Sequence, residues 1–181
     1  IKKIIKKNNC DFYILFNPAG VSWLFNIRGT ELKHTPVTRS YCVISKSGKI
    51  FIFTKNHMLK KYFSNNKQIK IYKLDDFSNY FFNLKNKKFL IDPNFLPLKI
   101  YDTLKENDLS YQFINCPVDK FKAIKNPVEL SGFKNAHLKD GLAILKFLFW
   151  FEKNVNSNKF TEICLSQKLF DIRSLDKTFI C

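Results

Sequence analysis

The chain has 181 residues, carries +16 at pH 7 and is 45% hydrophobic with 20 Phe, which excludes a disordered polyelectrolyte and leaves room for one full domain or one plus a piece of another. Of the 31 basic residues only Arg28, Arg39 and Arg173 are arginines. The residue that grips phosphate and guanine bidentately is therefore scarce, and the scattered lysines read as solvated surface, not as a nucleic-acid footprint.

Cys10, Cys42, Cys116, Cys164 and Cys181 form an odd set with no C-x-x-C pair. That spacing suits reduced, mostly buried thiols in a cytoplasmic protein better than a disulfide framework or a zinc knuckle. The chain opens on Ile1 and its only Met is Met58, so an internal piece of a longer protein is expected.

Ile1 to Asn9 reads as the end of a helix, and Asp11 to Phe16 as a buried aromatic and β-branched strand. Asn17-Pro18-Ala19-Gly20 reads as a break. A strand over Val37 to Ser45 turns at Lys46-Ser47-Gly48 into a partner over Lys49 to Thr54, a hairpin. Alternation follows: a helix at His57 to Phe63, a strand at Ile69 to Leu74, and a helix at Asp75 to Leu84. The acidic pair Asp75 and Asp76 suits the positive end of that helix. A strand at Lys88 to Asp92, a helix at Pro97 to Asn107 and a strand at Tyr111 to Asn115 complete the series, with Cys116 to Lys125 as connector. Strands alternating with helices imply an α/β fold, a mixed sheet covered by helices.

Asn126 to Lys153 reads as one long helix. Asn126 caps it, Pro127 suits its first position and Glu129 completes a capping box. Leu130, Phe133, His137, Gly141, Ile144, Leu148 and Phe151 recur at helical spacing. Between Gly141 and Phe151 only Lys146 is charged, so burial on most sides is expected there. A loop at Asn154 to Lys159 and a helix from Thr161 to Arg173 follow. The domain boundary is placed near residue 122, giving domains 1–122 and 123–181. The long helix is too short and too interrupted to span a membrane.

Residue chemistry alone assembles no active site. His34, His57 and His137 lie far apart, and His137, on the apolar face, reads as a hydrogen-bonded core histidine before a ligand. The five glycines make no phosphate-binding pattern, and no G-x-S-x-G elbow occurs.

Two stretches carry a resemblance. Trp23-Leu24, Asn26-Ile27-Arg28-Gly29, Pro36-Val37 and Ser40-Tyr41 stand in the order found in aminopeptidase P, the Xaa-Pro aminopeptidase of the cytosolic three-domain type. Lys125 to Glu129, Gly132, Asn135 to Gly141, Thr161-Glu162, Leu169 and Arg173 resemble the opening of that family's catalytic domain. The resemblance covers nearly the whole chain. It implies a creatinase-N-like mixed sheet with flanking helices, followed by the first two helices of a truncated pita-bread domain.

Such enzymes release the N-terminal residue from peptides with proline second. They use two divalent metal ions, commonly manganese, held by two Asp, one His and two Glu, and a homodimer is expected at full length. All five ligands lie downstream of Cys181 in the family. No metal ligand or catalytic residue is therefore carried onto this chain; Asp140, Glu162 and Asp171 match no ligand position, and the chain alone is expected to be inactive. Arg28, in the loop that faces the cleft in relatives, is the expected substrate-binding residue, with bracing of its own loop as the equal alternative. If the long helix opens such a domain, Leu130, Phe133, Ile144, Phe147, Leu148, Trp150 and Phe151 should be under-buried here. A non-catalytic dimerisation or partner-binding module of the same fold is the competing expectation.

Overall fold

The computed structural model describes residues 1–157 and 160–179, and Asn158, Lys159 and Cys181, which the sequence reading touches, lie outside them. Two compact units divide the chain, Ile1–Ala123 and Ile124–Cys181.

The first unit is built on alternating side chains. Its strands are β1 (Phe12–Leu15), β2 (Ser40–Ser45), β3 (Ile50–Thr54), β4 (Ile69–Lys73), β5 (Phe89–Ile91) and β6 (Tyr111–Phe113). They lie in the order β4-β3-β2-β1-β5-β6. β1–β2 and β2–β3 are antiparallel, while β3–β4, β1–β5 and β5–β6 are parallel, so the sheet is mixed. Successive residues supply opposite faces. Tyr13, Leu15, Cys42, Ile44, Ile52 and Leu90 enter one apolar cluster, and Ile14, Val43, Phe53, Phe89 and Ile91 enter the other. Burial on both faces explains why the strands read as near-continuous apolar runs.

Helices cover both clusters. α1 (Lys2–Lys7), α2 (Pro18–Leu24), α3 (Met58–Tyr62) and α6 (Pro117–Ala123) bring Ile5, Val21, Leu59 and Val118 to the first. α4 (Phe77–Phe82) and α5 (Leu98–Glu106) bring Phe77, Phe81, Ile100 and Leu104 to the second. The three layers are those of an α/β sandwich.

Three expectations for the first unit are corrected by the structure. Asn17-Pro18 does not merely break the chain. The Asn17 side chain accepts a hydrogen bond from the Ala19 amide at 3.0 Å, and Pro18 takes the first position of α2. The connector after Cys116 is largely helical: Pro117 begins α6, with Asp119 in its first turn. The strand expected from Val37 starts only at Ser40.

The second unit holds α7 (Pro127–Asn154), a 3-10 turn at Val155–Ser157 and α8 (Glu162–Ser174). The capping box at the start of α7 is formed, with Glu129 N–H to Asn126 Oδ1 and Asn126 N–H to Glu129 Oε2 both at 2.9 Å. Burial of Gly141 to Phe151 does not occur. Ala143 is the buried residue of α7, while Leu142, Leu145 and Phe149 are more than half exposed. A single neighbouring helix covers one side only. Leu130, Phe133, Ile144 and Leu148 are exposed as well, and Phe147, Trp150 and Phe151 are half-buried.

Candidate functional site

The Arg28 loop is organised by Ser22, buried in the last turns of α2. After Phe25 the backbone turns through Asn26, which adopts a left-handed conformation at φ 49°. The Ile27 amide returns to Ser22 O at 2.9 Å, which buries the Ile27 side chain and throws Arg28 to the surface. Gly29 lies so close to the incoming β2 segment that a Cβ there would stand 2.9 Å from Thr38 Cα, so only glycine fits. The Thr38 amide donates to Ser22 Oγ at 3.0 Å, and Ser40 Oγ donates to Thr38 O at 3.0 Å.

Arg28 Nη1 donates to Ile27 O at 2.9 Å and reaches Ser22 O at 3.5 Å. Bracing of the loop through backbone carbonyls is thus present. It occupies one nitrogen of the fork, and Arg28 Nε and Nη2 have no hydrogen-bond partner among the described residues. Thr38 Oγ1, fully buried below the same loop, is also without a partner among the described residues.

A second polar cluster joins the far ends of β5 and β6, and sequence reading missed it. Asp92 is buried, its Oδ1 accepting from the Asn94 amide at 3.0 Å and its Oδ2 from the Cys116 amide at 3.1 Å. Cys116 Sγ lies 3.2 Å from the Tyr13 hydroxyl, whose pKa burial and this contact push well above the ordinary range. Asp119 completes a trio whose ligand atoms lie within 4.8 Å of one another. Asp92 is already spent on two backbone amides, and Asp119 Oδ1 has Lys122 Nζ at 3.8 Å. The Asp92–Cys116 bond ties the two loops together, while Asp119 Oδ1 lies buried beside it with no hydrogen-bond partner among the described residues.

The histidines stay apart. His34 has a left-handed backbone at φ 60°, and His57 precedes α3. His137 is exposed, contrary to the core reading, with Nδ1 2.9 Å from Phe133 O, because the face it shares has no covering layer in this unit. In the same unit Arg173 grips Asp140 with Nε–Oδ1 2.7 Å and Nη2–Oδ2 3.2 Å. Lys139 pairs with Asp176 at 3.0 Å. Thr178 and then Lys139 hold the Asp176 carboxyl down to about 2. Asp171 accepts from Gln167 Nε2 at 2.8 Å. The described cysteines are free thiols, Cys10, Cys42 and Cys116 buried and Cys164 exposed.

Residues 1–129 match the creatinase/prolidase N-terminal domain family. The chain belongs to that family. Relatives extend the match beyond the domain. Xaa-Pro aminopeptidase 1 of Dictyostelium discoideum is 29% identical over 189 residues, 99% of this chain and 29% of that protein. Xaa-Pro aminopeptidase app-1 of Caenorhabditis elegans is 29% identical over 193 residues, 99% of this chain and 30% of that protein. The chain therefore spans about a third of the length of the curated relatives it matches.

Among solved structures, the X-prolyl aminopeptidase of C. elegans superposes with a TM-score of 0.78 at 24% identity, covering 99% of this chain and 30% of that one. That protein is a cytosolic enzyme with a di-nuclear active site. The Xaa-Pro dipeptidase of Bacillus anthracis follows at TM-score 0.68 and 19% identity, covering 98% of this chain and 48% of that one. Likeness at that identity establishes the fold, a mixed sheet flanked by helices and followed by two further helices. No helix of the described residues is long and apolar enough to cross a membrane.

Proposed function

We propose that this creatinase/prolidase N-terminal domain and the helices after it are part of an Xaa-Pro aminopeptidase that releases the N-terminal residue from peptides with proline in second position. The observation that carries the reading is the match to Xaa-Pro aminopeptidases along 99% of the chain, through α7 and α8 as well as the sheet domain. The exposed apolar face of α7 agrees with it, since Leu142, Leu145, Leu148 and Phe149 need a covering layer that α8 does not supply.

A di-nuclear centre, proposed here to hold two divalent ions such as manganese, would supply a strong nucleophile from bridging water and polarise the attacked carbonyl. The described residues do not fit it. Asp92, Cys116 and Asp119 offer three ligand atoms, too few to hold two ions, and one of them is a soft thiol that manganese disfavours. No step is routed through that trio, and the metal ligands are proposed to lie elsewhere in a longer polypeptide. Residues 123–181 form the start of the catalytic domain in this reading, and residues 1–122 position the substrate.

Arg28 is the residue proposed to approach the peptide. With Nη1 fastened to Ile27 O and Ser22 O, the side chain is pre-aimed, and Nε and Nη2 can take a peptide carbonyl or carboxylate. A cytoplasmic setting and a homodimer of the longer protein belong to the same proposal; the free thiols suit the first. The test is an assay of the parent reading frame on an Xaa-Pro peptide with added manganese. Release of the first residue is expected. A frame lacking a D…D…H…E…E ligand set and showing no turnover would favour the partner-binding module instead.

A further inference from the structure

β4 closes one end of the sheet, and no strand lies beyond it among the described residues. The phase of its ladder follows from the Ile50 amide donating to Gln68 O at 2.9 Å, with Ile50 opposite Ile69. In a parallel pair the backbone groups alternate in direction. Lys70 and Tyr72 therefore turn theirs toward β3, while Ile69, Ile71 and Lys73 turn theirs outward. The Ile69 amide is taken locally by Asn66 O at 3.2 Å. Left along the edge are the Ile69 carbonyl, the Ile71 amide and carbonyl, and the Lys73 amide. An edge strand in that state is a template for another strand.

A groove of about 390 Å³ runs beside this edge, between β4 and the end of α3, with Phe63, Ile69 and Ile71 as its apolar lining and Lys60 and Lys70 on its rim. Lys60, Lys67, Lys70 and Lys73 are exposed, and none has an ion pair among the described residues. Asp75 and Asp76 lie beyond the C-terminal end of the strand and leave the groove itself cationic. Lysines on an edge guard against self-pairing, because a second copy would set like charges opposite one another. The same lysines favour an oppositely charged strand.

We propose that the β4 edge and its groove form a docking site for an extended acidic segment of a partner protein, which adds to the sheet as a seventh strand beyond β4. Alternate apolar side chains of the segment enter the groove against Phe63, Ile69 and Ile71, and its carboxylates, on the opposite face, meet Lys70, while Lys60 and Lys73 add to the positive field of the edge. Backbone pairing sets the register and charge selects the partner.

The test uses the 181-residue chain and a blocked, fluorescently tagged peptide alternating Glu with Val and Ile, read by anisotropy. Saturable binding is expected. It should weaken by about tenfold or more when the peptide backbone is N-methylated at alternate residues, and again in Lys70→Glu/Lys73→Glu, which keeps both backbone groups. Amide exchange at Ile71 should slow in the complex. Equal binding of the N-methylated peptide means adhesion to lysines without strand addition, and overturns the proposal. Absence of saturable binding overturns it too, as does peptide-independent dimerisation with protection of Ile71, which makes a second copy the occupant. The N-methylated arm needs no variant of the chain, so a folding defect in the charge reversal cannot mask the answer.

Discussion

Ser22 and Thr38 are joined across 16 residues of sequence, Ser22 Oγ accepting the Thr38 amide at 3.0 Å. The bond closes the loop that carries Arg28 onto the start of β2, and both residues are buried. Removing the hydroxyl would leave a backbone donor without partner or water. Ser22→Ala is expected to destabilise the first unit by about 1–3 kcal/mol, the range for an orphaned buried group. Urea unfolding read by near-ultraviolet signal measures it. A change under about 0.5 kcal/mol would mean the loop is held by other contacts.

Arg28 separates two roles by two measurements. If it only braces its loop, Arg28→Ala lowers stability and leaves the kcat/KM of the proposed aminopeptidase on an Xaa-Pro peptide within a few-fold. If Nε and Nη2 meet the peptide, a charge-assisted bond of about 1.5–3 kcal/mol is lost and kcat/KM falls by about 10- to 150-fold. The expected result is the larger fall, with Tm nearly unchanged. Arg28→Lys should not restore it, because a point charge cannot reproduce the fork.

No stoichiometric manganese site is expected in the chain by itself, since the Asp92, Cys116 and Asp119 trio offers three ligand atoms of which one is a soft thiol. Isothermal titration checks this. A well-defined one-to-one isotherm lost in Asp119→Asn would make the trio a metal site and overturn that expectation.

Asp11 predicts an acid-side loss of stability. Its carboxylate accepts from Lys46 Nζ at 2.6 Å and from the Lys88 amide at 3.1 Å, and these bonds hold its pKa below the ordinary carboxylate value. A depressed folded pKa stabilises above the unfolded value of about 3.9 and is lost as pH falls through the folded one. Stability of the wild-type chain should therefore decline below about pH 4, the unfolded carboxylate range. Asp11→Asn should start lower and show a shallower decline. Parallel curves for the two proteins would show the pairing to be energetically silent.

Hydrogen exchange distinguishes the two fates of α7. With Leu142, Leu145 and Phe149 each more than half exposed, its amides should exchange faster than those of β1, and slow down as chain concentration rises. Strong protection at every concentration would favour a self-standing module.

Much of the fold was legible because both sheet faces are apolar and the strand runs are bounded by turn residues. What was lost shows the limits of local pattern. Asn17-Pro18 and Asn126-Pro127 carry the same cap-and-proline signature, yet only the second stands before a long apolar period that declares a helix. Gly20, three residues beyond Asn17, suggested a turn. It lies instead inside α2, where a Cβ would come within 3.2 Å of Leu15 Cδ1, a close contact between α2 and β1. The Asp92–Cys116 bond spans 24 residues, and only the parallel pairing of β5 with β6 brings those loops together. Arg28 was visible through the motif around it; the spending of its Nη1 on backbone carbonyls was not. The α7 face looked like core because an apolar helix surface declares that it needs cover without saying what covers it.

The place of β1 in the sheet has a consequence for synthesis. Its antiparallel partner β2 follows closely, but its parallel partner pairs Phe12 with Phe89, and Ile14 with Ile91, across 77 positions. At about 5–20 residues per second a ribosome delivers β5 roughly 4–15 s after β1. Through that interval the β1–β2–β3 meander has one long flank open, and it carries Tyr13, Ile14 and Leu15, among the most deeply buried residues of the folded chain. A nascent chain stalled before Phe89 would be the form most prone to capture by a chaperone or to pairing with its neighbours on the same messenger.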